Sequence, residues 1–529
     1  MITQVRRARL GGFLLAATLL ALSTLGGAGA APARADGYLP ITGTGSTWSQ
    51  NALDQWRKNV AANYGMTVNY SGVGSSAGRR DYISGSVDFA VSEIPFQAAP
   101  EDGSAAEAPP RGYAYMPIVA GGTAFMYNLK IGGKRVTNLR LSGDTITKIF
   151  TGAITNWNDI AIKADNPGLA MPDKGIVPVV RSDGSGSTAQ FTLWMSKQHS
   201  ALWSAFGRTG LTSQYPAFGN AKAQNGSLGV AGYVSQDYGE GAITYVEYSY
   251  AMKSGFPVAK VLNSAGYYVE PTAPSVAVAL LQAQINEDQN SPDYLTQILD
   301  GVYNSSDPRT YPLSSYSYMI IPTEVGGIFT ADKGKTLGAF ADYMLCEGQQ
   351  QATALGYSPL PLNLVQAGFA QIKRIPGSGS PEFDPAACNN PTFKAGDDPG
   401  NNLLAQTAPQ PADCDKKGPD QCSTGTGGAT EETPVSTPNA GASTTTTTSS
   451  TAGGGTANSG GAAVYDENGA LVSGGGGVGN AVAVSSPFTV ADSGLGAQQG
   501  VMLGAALLLI AGIVLPPLVS KRLKRPAGR

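Results

Sequence analysis

The chain has 529 residues, a formal net charge of −3 and a single histidine, His199. A nucleic-acid surface needs clustered lysines and arginines to replace the counterions of the phosphates, so this composition argues against a nucleic-acid partner. One histidine also excludes histidine-rich metal sites and disfavours histidine-based catalytic triads. The length alone predicts roughly two to four domains.

The N-terminus has the pattern of a cleavable signal peptide. Three arginines within the first nine residues precede an apolar run from residue 10 to about residue 25, and small residues follow up to Ala33-Arg34-Ala35. This pattern predicts a signal peptide over residues 1–35. The neighbouring arginines also fit a twin-arginine signal, although the general secretory route is favoured. We therefore expect the rest of the chain to be exported.

Short apolar runs rich in β-forming residues alternate with helical periodicity between Tyr38 and about Pro376. The runs are Thr67–Tyr70, Val87–Val91, Ala124–Tyr127, Val177–Val180, Ala242–Tyr245 and Tyr318–Ile321. Such alternation predicts an α/β fold with largely parallel sheets. Because roughly 340 residues exceed one comfortable core, we expect two lobes. In such folds ligands bind at the carboxyl ends of the strands.

Three glycine- and serine-rich turns each follow an extended run and precede a helical stretch. They are Gly43-Thr44-Gly45-Ser46-Thr47-Trp48, Gly72-Val73-Gly74-Ser75-Ser76-Ala77-Gly78 and Arg181-Ser182-Asp183-Gly184-Ser185-Gly186-Ser187-Thr188. The first turn of a helix has unpaired N–H groups and a partial positive charge, so an oxyanion fits there. A single turn of this kind is usually only a helix cap, but three in strand-to-helix connections indicate an anion site. None has the lysine of a P-loop or the spacing of a nucleophile elbow.

In this order the segments resemble the phosphate-binding proteins of the phosphate-specific transport system, the PstS type. The resemblance covers about residues 41–375. Its further matching segments are Val68-Asn69-Tyr70, Val87-Asp88-Phe89-Ala90-Val91-Ser92-Glu93, Thr151-Gly152, Trp157-Asn158-Asp159, Asn166-Pro167-Gly168-Leu169 and Ile243-Thr244-Tyr245-Val246-Glu247-Tyr248.

The resemblance implies a two-lobed periplasmic-binding-protein fold with a hinge (type II), here over residues 36–394. One lobe of that fold contains both ends of the domain. We therefore expect residues of about 38–115 plus 322–376 in one lobe and about 116–321 in the other.

The resemblance also implies which residues hold the anion. The phosphate-binding residues would be Thr47, Trp48, Ser75, Glu93, Arg181, Ser185, Gly186 and Ser187. Asp183 would orient Arg181, the one formal positive charge, in an ion pair that keeps the guanidinium fork fixed. No cofactor, metal ligand or catalytic residue is implied.

Glu93 departs from the family, in which the matching acceptor is an aspartate. Phosphate keeps a proton near neutral pH and sulfate does not, so a buried carboxylate can accept from phosphate while repelling sulfate. We expect Glu93 to accept that proton although its side chain is one methylene longer. The alternative is that Glu93 is a surface carboxylate outside the site.

The function implied by the resemblance is capture of inorganic phosphate for the permease of an ABC importer, by a monomer that is not an enzyme. Three alternatives remain open at this point. The chain could bind another oxyanion such as sulfate or molybdate, could be a phosphatase, or could be a surface adhesin on a stalk.

The four cysteines match no zinc motif and, in an exported chain, indicate disulfides. We expect the pairs Cys346–Cys388 and Cys414–Cys422, although four cysteines allow three pairings.

The C-terminal part predicts a disordered tether and a membrane anchor. Residues 395–497 are rich in Gly, Thr, Ser and Pro and cannot bury enough apolar surface to fold, apart from a β-prone patch at Ala462–Val472. Residues 498–520 predict a transmembrane helix, because the run 501–519 has no charged residue. The basic tail 521–529 should stay in the cytoplasm, which leaves the binding domain of a single-pass protein outside the cell.

Overall fold

The computed structural model describes residues 37–100, 103–288, 290–291, 293–380, 382–398 and 400–429, and the backbone of 464–465 and 471–473. The predicted signal peptide (1–35), transmembrane helix (498–520) and basic tail (521–529) lie outside the described residues. None of the helices within these ranges has the length and apolarity that crossing a bilayer requires.

Strands and helices alternate along most of the described chain, which confirms the predicted α/β class. The strands are β1 (Ile41–Gly45), β2 (Val68–Gly72), β3 (Phe89–Ser92), β4 (Tyr113–Tyr127), β5 (Lys130–Ile131), β6 (Lys134–Arg135), β7 (Arg140–Leu141), β8 (Val177–Arg181), β9 (Lys222–Gln224), β10 (Ala242–Glu247), β11 (Val258–Leu262), β12 (Tyr268–Val269), β13 (Gln284–Ile285), β14 (Gln297–Ile298), β15 (Ser314–Pro322), β16 (Val464–Tyr465) and β17 (Leu471–Ser473). The helices are α1 (Gln50–Tyr64), α2 (Ser75–Ser84), α3 (Gly143–Phe150), α4 (Ile160–Asp165), α5 (Gly186–Gln198), α6 (Ser200–Ala205), α7 (Gly226–Ser235), α8 (Tyr248–Ser254), α9 (Ala273–Leu280), α10 (Asp300–Tyr303), α11 (Ala331–Leu345), α12 (Leu362–Ile372) and α13 (Leu403–Gln406), with 3₁₀ turns at Asp237–Gly239, Glu347–Gln351 and Asp413–Asp415.

The first lobe is built on a sheet with the strand order β2-β1-β3-β15-β4. Strand β1 is parallel to β2 and to β3, whereas β15 is antiparallel to both β3 and β4. Buried side chains of α1, α11 and α12, among them Trp56, Phe340 and Val365, pack with the sheet in one core. The parallel strands therefore end at one edge of this lobe, where a ligand site is expected.

The second lobe is built on a sheet with the strand order β4-β10-β8-β9. Strand β8 is parallel to β9 and β10, and β10 is antiparallel to β4. Along β10, Ile243 and Tyr245 belong to one apolar cluster, whereas Ala242 and Val246 belong to another. Because alternate residues of a strand point to opposite faces, this sheet is covered on both faces.

Strand β4 is shared by the two lobes. It pairs with β15 as far as Gly122 and with β10 from Thr123 onward, so the chain passes from one sheet to the other at this point. We expected residues 116–321 in a single lobe, but the pairing puts β15 in the first sheet. Its side chains from Tyr316 to Ile321 include five members of the first core. The long antiparallel pair β4–β15 also makes the first sheet mixed rather than largely parallel.

Both predicted disulfides are confirmed. Cys346–Cys388 joins the end of α11 to the chain that follows α12, and Cys414–Cys422 closes a short loop.

Residues 382–398 and 400–429 form a segment that we call the strap, which contacts first one lobe and then the other. In the first lobe, Thr392 Oγ1 donates to the carbonyl of Leu360 at 2.8 Å. In the second lobe, Lys260 Nζ donates to both carboxylate oxygens of Asp415 at 2.9 Å. We expected the tether to begin at residue 395, but the described residues up to 429 are folded onto the domain. A disulfide and a buried ion pair hold this polar sequence, which has few apolar residues of its own.

Strands β16 and β17 pair antiparallel and form a small unit of their own. They lie in the patch predicted to be β-prone, except that Ser473 falls one residue beyond it. The other residues of the predicted tether between 430 and 497 lie outside the described residues.

The strap ion pair generates a prediction about stability. The side chains of Lys260 and Asp415 are only 11% and 10% exposed. Removing one partner of a buried pair leaves an uncompensated charge, so Asp415→Asn should lower the free energy of unfolding by about 3 kcal/mol. Guanidinium unfolding of the oxidised protein measures this change.

The control is Lys373→Ala, which breaks an exposed strap contact, the pair between Lys373 and Glu382, whose side chains are 41% and 88% exposed. Its effect should stay within about 0.5 kcal/mol, because exposed ion pairs contribute little. Equal, small effects of both substitutions would show that the buried pair Lys260–Asp415 does not stabilise the domain.

Candidate anion-binding site

The carboxyl ends of the parallel strands of both lobes face each other. In the first lobe β1, β2 and β3 end at this edge, and in the second lobe β8, β9 and β10 do. Among the helices that begin within a few residues of these ends are α2 at Ser75, α5 at Gly186 and α7 at Gly226. Their first N–H groups and the positive ends of their dipoles are thus directed at one region.

Hydrogen bonds join the predicted site residues of one lobe to the other lobe. Ser75 Oγ accepts from the amide of Gly186 at 3.1 Å. Thr47 Oγ1 accepts from the amide of Ser227 at 3.1 Å and lies 2.9 Å from its hydroxyl. The structure therefore brings the first two predicted turns against the start of α5 and the start of α7.

The carboxylate of Glu93 lies between these turns and is buried, with 1% of the residue exposed. Its Oε2 accepts from Ser75 Oγ at 2.8 Å, and its Oε1 accepts from Ser317 Oγ at 2.7 Å and from Ser46 Oγ. A Cβ added to Gly186 would lie 1.9 Å from Oε2, so no larger residue fits at that position without displacing the carboxylate. Glu93 is therefore not a surface carboxylate.

Arg181 and Asp183 form a buried ion pair in the second lobe. Arg181 Nε donates to Asp183 Oδ1 at 2.7 Å, and Nη2 donates to Oδ2. Although burial raises the pKa of Asp183, the hydrogen bonds and charge of Arg181 and the amide of Gly226 outweigh it, and the pKa lies below its ordinary value. The third guanidinium nitrogen, Nη1, lies 3.4 Å from Ser227 Oγ. The pair has the geometry expected of a carboxylate that orients Arg181.

The remaining predicted residues have three different environments. Ser185 Oγ caps α5 by accepting from the amide of Thr188 at 3.2 Å. Ser187 Oγ is buried and has no hydrogen-bond partner within the described part of the chain. The amide of Trp48 donates to Ser46 Oγ at 2.9 Å. Ser187 thus has a hydroxyl available, whereas the Trp48 amide is satisfied within its own turn.

Three residues at the site were missed by the sequence reasoning: Ser46, Ser227 and Ser317. Ser46 lies in the first predicted turn but was not chosen. Ser227 follows Asn225-Gly226, a fourth glycine-containing turn that opens a helix and carries the signal used for the other three. Ser317 lies inside strand β15 and has no local signal at all.

His199 packs elsewhere in the second lobe. Its ring contacts Trp194 edge-on, with 4.8 Å between the ring centroids, and burial lowers its pKa. Among the described residues, no group of three His, Cys, Asp or Glu side chains is placed to hold a metal ion.

Comparison with known proteins places this chain in a family. A family model described as a PBP superfamily domain matches residues 28–347. The chain is 33% identical over 326 residues to the phosphate-binding protein PstS of Xylella fastidiosa (strain Temecula1), which covers 62% of this chain and 83% of that protein. The chain belongs to the PstS family within the PBP superfamily.

A second PstS relative, from Pasteurella multocida, is 31% identical over 63% of this chain and 90% of that protein. Among solved structures, a phosphate-binding protein from Stenotrophomonas maltophilia superposes with a TM-score of 0.46 at 17% identity, over 63% of this chain and 93% of that chain. Membership of the PstS family rests on the sequence matches.

The ion pair of Asp183 generates a prediction about pH. Because the pKa of Asp183 is depressed in the folded protein, its ionised form contributes stability above the ordinary aspartate pKa of about 3.9, and this contribution is lost as the pH falls through the folded value. Asp183→Asn should therefore destabilise the protein most at pH 7, and the difference from wild type should shrink below about pH 4.

Thermal unfolding between pH 3 and pH 7 measures this difference. Asp300→Asn serves as the control, because Asp300 pairs with Lys197 on the surface, where the side chains are 54% and 49% exposed. A destabilisation by Asp183→Asn that is the same at every pH would contradict the assignment.

Proposed function

We propose that this chain binds inorganic phosphate outside the cell and delivers it to the permease of an ABC importer. Its relatives carry the name phosphate-binding protein PstS. One structural observation supports the proposal most directly: the two lobes meet through two linked sets of polar groups. Ser75 of the first lobe contacts both the buried carboxylate of Glu93 and the amide of Gly186 in the second lobe. Ser227 of the second lobe contacts both Thr47 of the first lobe and the guanidinium of Arg181.

In this proposal the anion is held by donors from both lobes. A desolvated tetrahedral anion needs a hydrogen bond to each oxygen, and converging helix starts supply amides in several directions. Arg181 supplies the charge-assisted bonds. The hydroxyls come from Thr47, Ser75 and Ser187, and we keep Ser185, Gly186 and the Trp48 amide as proposed donors. Binding then exchanges hydrogen bonds within the protein, such as Ser75–Gly186, for bonds to phosphate oxygens.

Glu93 is proposed to accept the proton that phosphate retains at neutral pH. A sulfate ion has no proton to donate, so one of its oxygens would face the carboxylate without a hydrogen bond, which costs free energy. Asp183 already pairs with Arg181, so the site has little surplus positive charge with which to attract any dianion. Selection by hydrogen bonding, rather than by charge, is therefore the mechanism that this arrangement supports.

Binding groups on both lobes also favour a hinge mechanism. Strand β4 passes from one sheet to the other between Gly122 and Thr123, so a change of backbone angles there would contribute to a separation of the two lobes. We propose that the lobes open at this point to admit phosphate and close around it. The proposed protein is a monomeric binding protein and not an enzyme, because its relatives carry the names of binding proteins and His199 packs against Trp194 elsewhere in the second lobe.

We further propose that the C-terminal segment anchors the domain to the membrane. The signal-peptide pattern and the uncharged run 501–519 followed by four basic residues support this topology, and the two disulfides fit an oxidising compartment.

The phosphate proposal predicts a large effect of Arg181→Ala. A buried anion would lose the one cationic partner that the described site residues supply and Asp183 would be left unpaired, so phosphate affinity should fall about a hundredfold or more. Isothermal calorimetry of the full chain in detergent, after removal of bound anions, measures the affinity.

The control is Arg374→Ala, which removes an exposed arginine of the first lobe whose guanidinium donates to Gln371. It should leave phosphate affinity unchanged. If the wild-type protein preferred sulfate, or bound no anion, the proposed function would be wrong. If Arg181→Ala retained the wild-type phosphate affinity, phosphate would bind at a different site.

The anchor proposal predicts the location of a truncated protein. A chain that ends at Ala497 should be recovered outside the membrane fraction, whereas the full chain should sediment with membranes. Deletion of residues 430–497 with retention of 498–529 is the matched control and should remain in the membrane fraction. Equal fractionation of all three proteins would exclude anchoring by residues 498–520.

A further inference from the structure

The two oxygens of the Glu93 carboxylate have different surroundings. Oε1 accepts two hydrogen bonds from the first lobe, from Ser46 Oγ and from Ser317 Oγ at 2.7 Å. Oε2 accepts from Ser75 Oγ at 2.8 Å and lies against Gly186 of the second lobe. One oxygen is therefore fixed inside the first lobe, and the other faces the region where the two lobes meet.

Ser46 and Ser317 are themselves held in place. Both are buried, with 1% and 0% of the residue exposed. The backbone carbonyl of Ser46 accepts from the hydroxyl of Tyr70 at 2.7 Å, and Ser46 Oγ accepts from the amide of Trp48. Ser317 lies inside strand β15, which pairs on both sides, and its hydroxyl lies 3.2 Å from that of Ser49.

We infer that Ser46 and Ser317 are positioning residues that determine anion selection through Glu93. An ionised carboxylate has about four acceptor sites on its two oxygens, and the two serines occupy sites on Oε1. This leaves Oε2 directed at the ligand region. The inference rests on the proposed function, because it assigns these serines a role in phosphate recognition.

The length of the Glu93 side chain explains why such positioning matters. A glutamate has one more rotatable bond than an aspartate, so an unrestrained carboxylate could turn away from an anion that offers no proton. To discriminate against sulfate, the Glu93 carboxylate must stay beside the bound anion. An unprotonated sulfate oxygen then faces the carboxylate without a hydrogen bond. The hydroxyls of Ser46 and Ser317, which donate to Oε1, oppose that rotation. Sulfate therefore cannot bind without the unfavourable contact.

The test compares phosphate and sulfate affinities of the full chain in detergent by calorimetry. Ser46→Ala and Ser317→Ala should each lower the ratio of the sulfate to the phosphate dissociation constant by about tenfold, the effect of losing one hydrogen bond to a charged group. Ser358→Ala is the matched control, because this buried serine donates to the carbonyl of Ala273 at 2.9 Å, away from Glu93. It should leave the ratio unchanged.

A double-mutant cycle with Glu93→Gln separates positioning from a structural role. Once the acceptor is removed, adding Ser46→Ala or Ser317→Ala should change the ratio no further. A purely structural role would weaken both anions by a similar factor and would act in either background, which would overturn the inference. Ser46 lies in the turn after β1 and Ser317 lies in β15. If one variant fails to fold, the other variant still tests the inference.

The wild-type ratio tests the proposed function by itself. If the wild-type protein did not prefer phosphate to sulfate, the proposed function would be wrong. If both serine variants kept the wild-type preference for phosphate over sulfate, only the role inferred for Ser46 and Ser317 would be wrong.

Discussion

The burial of the Glu93 carboxylate where the two lobes meet is the constraint on which the site depends. A buried carboxylate is tolerated only if hydrogen bonds replace the water it loses. Here they come from the turn after β1, from the start of α2 and from the interior of β15. Because these segments are far apart in the chain, the sheet of the first lobe must be complete before the carboxylate can be accommodated, and the second lobe must present a glycine, Gly186, opposite it.

The second lobe contributes a balanced pair of charges to the site. Arg181 is held by Asp183, and Asp183 in turn accepts from the amide of Gly226 at 2.9 Å. The start of α7 is thereby linked to the cation, and Thr47 of the first lobe contacts the same helix start through Ser227. An anion proposed to bind here would experience directed donors more than a strong net field, which is consistent with a chain whose overall charge is negative.

The strap lies beyond residues 28–347, the part of the chain that the family model matches. It is tied to the first lobe by Cys346–Cys388 and to the second by Lys260–Asp415, with Ala405 packed against Ala277 and Val278 between them. A segment held at both lobes must change shape or detach partly if the lobes separate. The strap is therefore a structural element that bears on any opening motion at β4.

Much of the fold and part of the site could be predicted from the sequence, because the signals are local. Strand and helix alternation, the turns around Thr47, Ser75 and Ser185, and the two cysteine pairs all depend on residues close together or on a short list of partners. Ser317, the placement of β15 in the first sheet and the folding of residues 400–429 could not be predicted in this way. Ser317 is 224 residues from the carboxylate it contacts, and only the pairing of β15 between β3 and β4 brings the two together. The sequence by itself determined which glycine- and serine-rich turns open helices; the tertiary structure decided which hydroxyls surround Glu93, because hydrogen-bond partners across a sheet depend on strand order and not on proximity in the chain.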